Sequence, residues 1–160
     1  SCRFRAYFFH RDDEVDLNEV LNRIRTKSDR GVGALVFFVG IVKGLVEGSN
    51  VYELVYEAYH PYAEKRLCEI AEDVARKYGV ATVEIAHREG AAKPGEKTVV
   101  IAVAADSREK AFKAAEEILE RTKFEVPIFK LEKRSDGEYW VIGDGRRIKR
   151  DSYQPTHSST

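Results

Sequence analysis

Residues 33–44, GALVFFVGIVKG, form an unbroken apolar run bounded by glycines. Such a run suits a strand covered on both faces, and it is too short for a membrane span of about 18 residues. The segment that follows, NVYELVYEAYH (50–60), alternates instead: Val51, Glu53, Val55 and Glu57 fall on one face and Tyr52, Leu54, Tyr56 and Ala58 on the other. Two adjoining strands separated by LVEGS are expected to pair with each other. A chain that must house both kinds of strand needs helices to cover the first.

Three stretches supply them. DLNEVLNRIRTK places Leu17, Val20, Leu21 and Ile24 at helical spacing behind Asp16, which with Glu19 forms a possible capping box. YAEKRLCEIAEDVARKYG follows Pro61, a suitable first helical residue, and closes at Gly79, with Leu67, Ile70, Ala71 and Val74 on its apolar face. DSREKAFKAAEEILERTK buries Ala111, Ala115, Ile118 and Leu119, with Asp106 and Glu109 offering a cap. Further strands are expected at CRFRAYFFH, at VATVEIAHREG and KTVVIAVAA around the KPGE turn, and at EVPIFKLEK and EYWVIG around SDG. The order β-α-β-β-α-β-β-α-β-β predicts an α+β fold, a mainly antiparallel sheet with packed helices. A single domain is expected over 1–143. The polar stretch 144–160, DGRRIKRDSYQPTHSST, is expected to stand outside the core as a disordered or partner-bound tail.

The 27 basic and 27 acidic side chains cancel, so no long-range field draws the chain to nucleic acid or membrane. Any anion site has to be local. The strand-helix order also suggests a nucleic-acid module, but the balanced charge and the lack of an RNP-like GFGF pattern argue against one. Two cysteines, Cys2 and Cys68, are too few for a disulfide framework, suggest a reducing compartment, and leave Cys68 as a small buried hydrophobe. With no signal-peptide pattern, a soluble cytoplasmic protein is expected. No Ser-His-Asp order, phosphate-binding glycine loop or His/Cys ligand spacing is visible, and neither a metal nor a cofactor is expected.

The candidates for chemistry are cations in unusual places. On the strand after Pro127, Val126, Ile128, Lys130 and Glu132 share one face. Lys130 either snorkels from that apolar face, with Glu132 nearby, or is a partly desolvated amine fit for acid-base work or for anchoring an anion. Lys123 complements the negative end of a helix, and the bend at Pro127 could also bring it beside Lys130. Arg108 lies in the first turn of a helix, where an anion rather than a cation is favoured, so DSR either binds a phosphate through its amides, Ser107 and Arg108 or is a solvated arginine balanced by Asp106 and Glu109. Lys43, His87 and Arg88 stand at strand ends; a strand-end histidine is eligible for catalysis but is more often packed.

Taken together and in this spacing, GALVFFVGIVKG, YEAYHPYAEKRLCEIAEDVARKYG, the segment from HREGAAKPGEKTVV through IFKLEK, and the closing GEYW resemble the large (catalytic) subunit of molybdopterin synthase, over about residues 31–143. The resemblance implies an α/β hammerhead fold and a homodimeric core, with a small ubiquitin-like sulfur-carrier subunit at each end to make a heterotetramer. It implies a cytoplasmic sulfurtransferase of molybdenum cofactor biosynthesis. The carrier's C-terminal thiocarboxylate would enter a pocket, and sulfur would pass twice to cyclic pyranopterin monophosphate to give the molybdopterin dithiolene. The family's two pocket lysines fall on Lys123 and Lys130, its helix-start arginine on Arg108 and its glutamate on Glu132. Two positions depart from the family: Lys43 stands where arginine is usual, and Ser107 where histidine is common, which loses bidentate binding and a titrating group respectively. On this basis Lys123 and Lys130 are expected to be catalytic, and Lys43, Ser107, Arg108 and Glu132 to bind substrate. The alternative is a scaffold that binds a ubiquitin-like partner without turnover.

Overall fold

The computed structural model describes residues 1–143 and 145–150. The strands are β1 (Arg5–Phe9), β2 (Ala34–Ile41), β3 (Leu45–Val46), β4 (Ser49–Ala58), β5 (Thr82–Arg88), β6 (Gly90–Ala92), β7 (Lys97–Ala105), β8 (Ile128–Arg134), β9 (Gly137–Ile142) and β10 (Arg146–Lys149). The helices are α1 (Leu17–Arg25), α2 (Tyr62–Tyr78) and α3 (Arg108–Glu125). All three helices fall where the apolar spacing puts them. Asp16 caps α1 by accepting from the amides of Asn18 and Glu19, and Gly79 ends α2 in the left-handed conformation. Pro61 stands one residue before α2 rather than within it, and α3 is capped by Ser107 rather than Asp106, because Ser107 is still extended and its hydroxyl faces the Lys110 amide.

The strands divide between two sheets rather than one. The first has the order β1-β5-β7-β2, all pairs antiparallel except β1 with β5; the second runs β10-β9-β8-β4-β3, with β6 also paired to β4. α2 and α3 cover one face of the first sheet through Leu67, Ile70, Val74, Ala111, Ala114 and Ile118, and α1 covers the other through Val20 and Ile24.

The expected pairing of β2 with β4 does not occur. β2 pairs with β7, Phe38 opposite Ile101, whereas β4 pairs with β8. Periodicity explains the separation: a strand apolar on both faces belongs in the sheet sandwiched by helices, and an alternating strand belongs where one face meets water. β2 is nevertheless an edge strand, only partly covered, and leaves Ile41 59% exposed. Its nearer connection is the tight β3–β4 hairpin, whose Glu47 and Gly48 both have positive φ (51° and 79°). The Glu47 side chain forms an ion pair with the buried Arg134 at 2.9 Å.

Two further expectations are corrected. Cys2 and Cys68 form a disulfide, joining the segment before β1 to α2 across 66 residues of sequence. Cys68 is therefore a cross-link and not a free thiol, and closing a loop of that length restricts the unfolded chain by roughly 4 kcal/mol. The boundary at Gly143 also moves: Arg146–Lys149 add a strand to the second sheet, with Arg147 opposite Val141. The expected tail from 151 onward lies outside the described residues. No helix among the described residues is long and apolar enough to cross a membrane.

Candidate active site

The bend that joins α3 to β8 builds the site. Val126 is extended, as the residue before a proline must be, and buries its side chain, so α3 stops at Glu125 and β8 starts at Ile128. Lys123 in the last turn of α3 and Lys130 on β8 then face a common cleft of about 590 Å³. β8 lies between β4 and β9, so Lys130 is flanked by Tyr56 and Val141. Glu132, also on β8, adds to the wall, and the rest includes β2 with Lys43 just after it, Thr98 at the start of β7 and Arg147 on β10. A smaller adjoining recess of about 140 Å³ shares Tyr56, Thr98, Lys123 and Lys130 and adds His87 and Thr122.

The close approach of backbone to cleft depends on Gly40. It lies at a bulge in β2, and a methyl group there would run into the Thr98 hydroxyl and touch Val99 Cγ1 at 3.0 Å. Thr98 and Tyr56 both line the cleft, and Thr98 acts on the Tyr56 hydroxyl against the effect of burial. Burial pushes the Tyr56 hydroxyl up to about 12, so it stays protonated across neutral pH. Burial also holds His87 down at about 4, and its Nδ1 lies 2.8 Å from the Arg88 carbonyl, so His87 lines the recess as a neutral ring with Nδ1–H donating.

Lys130 is half-buried. Desolvation, with Arg147 next, lowers its pKa, opposed by Glu132, while Lys123 and Lys43 push it down further. Its Nζ lies 5.8 Å from the centre of the Tyr56 ring. Glu132 is buried and accepts two hydrogen bonds from the Arg147 fork, at 2.7 and 3.1 Å. Arg134, equally buried, is gripped by both oxygens of Asp136 at 2.9 Å, by Glu47 at 2.9 Å, and lies 3.8 Å from the Tyr139 ring centre. Lys43, Lys123, Lys130 and Arg147 thus line the cleft against the single carboxylate of Glu132, a positive lining that suits an anion.

Four of the six residues expected at the site, Lys43, Lys123, Lys130 and Glu132, line this cleft. Ser107 and Arg108 do not. They sit at the opposite end of α3 from Lys123, about 22 Å away by helical rise, so the expected grouping of Arg108, Ser107 and Lys43 does not form within one chain. Ser107 is committed to the helix cap and Arg108 is exposed. Arg88 is fully buried and structural: it donates to the Lys97 carbonyl at 2.7 Å, pairs with Glu14 and lies over the Phe9 ring.

Sequence reasoning missed Arg147, Tyr56 and Thr98. For Arg147 a signal existed, since the Asp-Gly step between EYWVIG and RRIK is a hairpin signature. Nothing local marks Tyr56 or Thr98, which belong to different sheets and meet only through the fold.

The MoaE protein family model matches residues 10–125. The molybdopterin synthase catalytic subunit of Bacillus subtilis is 41% identical over 123 residues, 77% of this chain and 78% of that one. The subunit of the same name from Pyrococcus abyssi is 31% identical over 132 residues, 82% of this chain and 87% of its own. The crystal structure of molybdopterin synthase from Staphylococcus aureus superposes with a TM-score of 0.72 at 30% identity, covering 85% of this chain and 95% of that one. The chain therefore belongs to the MoaE family, the family of these molybdopterin synthase catalytic subunits.

Proposed function

We propose that this chain is the catalytic subunit of a molybdopterin synthase, a sulfurtransferase that moves sulfur from the thiocarboxylated C-terminus of a ubiquitin-like carrier to cyclic pyranopterin monophosphate. The observation that carries the reading is the cleft in which Lys123 and Lys130 face each other across the Pro127 bend, with Lys43, Glu132 and Arg147 around them. Both reactants are anions, a thiocarboxylate and a phosphate, and a cation-lined, partly desolvated cleft selects for both. In each transfer the sulfur replaces an oxygen on a precursor carbon, so a C–O bond breaks there, its oxygen leaving as water, as the C–S bond forms; a second water cleaves the acyl C–S bond and returns the carrier glycine as a carboxylate. Two transfers give the dithiolene.

In this reading Lys123, a cation at the cleft wall, stabilises the oxyanion that develops as the thiocarboxylate carbon is attacked. Lys130, whose amine is more readily deprotonated than a solvated lysine, accepts or returns a proton. Lys43 and Glu132 orient the substrate. The N-terminal end of α3, with Ser107 and Arg108, could reach a cleft only from a second copy, which fits a homodimeric core. This reading expects a cytoplasmic chain, whose Cys2–Cys68 bond has to persist against a reducing pool.

Reconstitution with thiocarboxylated carrier and precursor, followed by detection of the dithiolene, tests the assignment. Lys123→Ala should lower conversion about a hundredfold while leaving the fold intact; conversion at the wild-type rate would remove Lys123 from the mechanism. A non-catalytic scaffold is the second reading, favoured by the distance of Ser107 and Arg108 from the cleft. It predicts carrier binding with no dithiolene from the wild-type chain.

A further inference from the structure

Lys130 and Glu132 point to the same face of β8, two residues apart, and both line the cleft. They are natural partners for an ion pair. No such pair forms: among the described residues Lys130 has no carboxylate within 4.0 Å, although four of the five charged groups lining the cleft are cations. Glu132 is turned instead to β10, where Arg147 Nε meets one of its oxygens at 2.7 Å and Arg147 NH2 the other at 3.1 Å. Arg134 NH1 lies 3.5 Å from the first oxygen. Arg147 NH1 donates to the Gly145 carbonyl at 2.9 Å, so the guanidinium is fixed on two sides.

We propose that Arg147 is a positioning residue for the transfer site: by occupying both oxygens of Glu132 it keeps that carboxylate from pairing with Lys130 and leaves the lysine amine free at the cleft wall. This rests on the reading that Lys130 handles a proton. The bidentate fork outcompetes a lysine for a planar carboxylate, which is why an arginine is needed here. β10 gains its purpose from this contact, since it carries the guanidinium across β9 to the strand that bears the chemistry.

The charges facing Lys130 come from every element around it: Glu132 on its own strand, Arg147 on β10, Lys123 on α3 and Lys43 after β2, with the titratable Tyr56 on β4 and neutral His87 on β5. Only Glu132 is negative at neutral pH. Freeing it therefore moves Lys130 in one direction, toward the protonated, ion-paired state.

The test is the titration of the Lys130 amine by NMR in the substrate-free protein with isotope-labelled lysine, the signal assigned by its loss in Lys130→Arg. In Arg147→Gln the Lys130 midpoint should move to higher pH, and the double variant Arg147→Gln with Glu132→Gln should bring it back down. Arg147→Lys, which keeps a charge on Glu132, should move it less than Arg147→Gln. In the transfer assay Arg147→Gln should cost about tenfold at neutral pH, recovering as pH rises. An unchanged Lys130 midpoint in a folded Arg147→Gln protein, or an equal shift in the double variant, would overturn the proposal. Because the titration needs no substrate, that outcome is independent of whether the wild-type chain makes dithiolene.

Discussion

β7 and β8 are interior strands of their respective sheets, and they bury opposite kinds of side chain. From Val99 to Ala105 every residue of β7 is apolar and buried, covered by α2 and α3 on one side and α1 on the other. β8 instead buries Leu131 together with Glu132 and Arg134, with Lys130 half-buried just before them. The first strand lowers the free energy of the fold through the area it removes from water. The second takes charges out of water, which costs several kcal/mol per ion unless each is met by partners. Glu132 and Arg134 are fully met; Lys130 is not. A desolvated amine with no carboxylate partner, set only against the Tyr56 ring, costs stability rather than adding to it, which is the pattern expected of a group kept for chemistry.

That contrast can be broken by experiment. Ile101→Ala in β7 leaves a cavity in a fully buried site and should cost about 3 kcal/mol of unfolding free energy, read by denaturant titration, with conversion per folded molecule unchanged. A matching loss of activity in the folded fraction would show that the two strands are not separable. Lys130→Met should do the reverse. It removes a desolvated cation, so stability should rise by on the order of 1 kcal/mol, while conversion of precursor drops about a hundredfold. A variant that unfolds more easily would mean that the lysine is structural after all.

The smallest effect concerns an ion cluster outside the cleft. His60, in the turn between β4 and α2, contacts Glu64 through Nδ1 at 2.8 Å and Glu89 through Nε2 at 2.8 Å, and Glu89 also accepts from the Ala58 amide. Glu64, and then Glu89, raise the His60 pKa above its ordinary value. A histidine with a raised pKa contributes stability that is full below its unfolded value and is lost as pH rises through its folded value. The turn should therefore loosen modestly on passing from mildly acidic to alkaline pH, visible as faster amide exchange at Ala58 once the His60 ring signal has titrated. Glu64→Gln should move that ring midpoint down; if it stays in place, the cluster does not act as a clamp.

What could be read in the chain, and what could not, follows the range of the interactions. The three helices, the β5–β7 and β8–β9 hairpins and the bend at Pro127 rest on periodicity, caps and turn residues within a few positions of one another, and these act in the unfolded chain as in the folded one. The approach of Lys123 to Lys130 belongs to this class, since seven residues and one proline set it. The partner of β2, the Cys2–Cys68 bond and the separation of Ser107 and Arg108 from the cleft do not. Each depends on which elements meet in space: an apolar run says that β2 belongs in a covered sheet but not which strand it pairs with, and the length of α3 separates Arg108 from Lys123 without saying which end of the helix faces Lys43. Tertiary structure alone decided that β10 would bring Arg147 to Glu132, because a guanidinium in a polar segment declares a charge but not the carboxylate it will meet. The sequence by itself placed the two lysines; the fold determined which groups surround them and so whether Lys130 is a paired cation or a free amine.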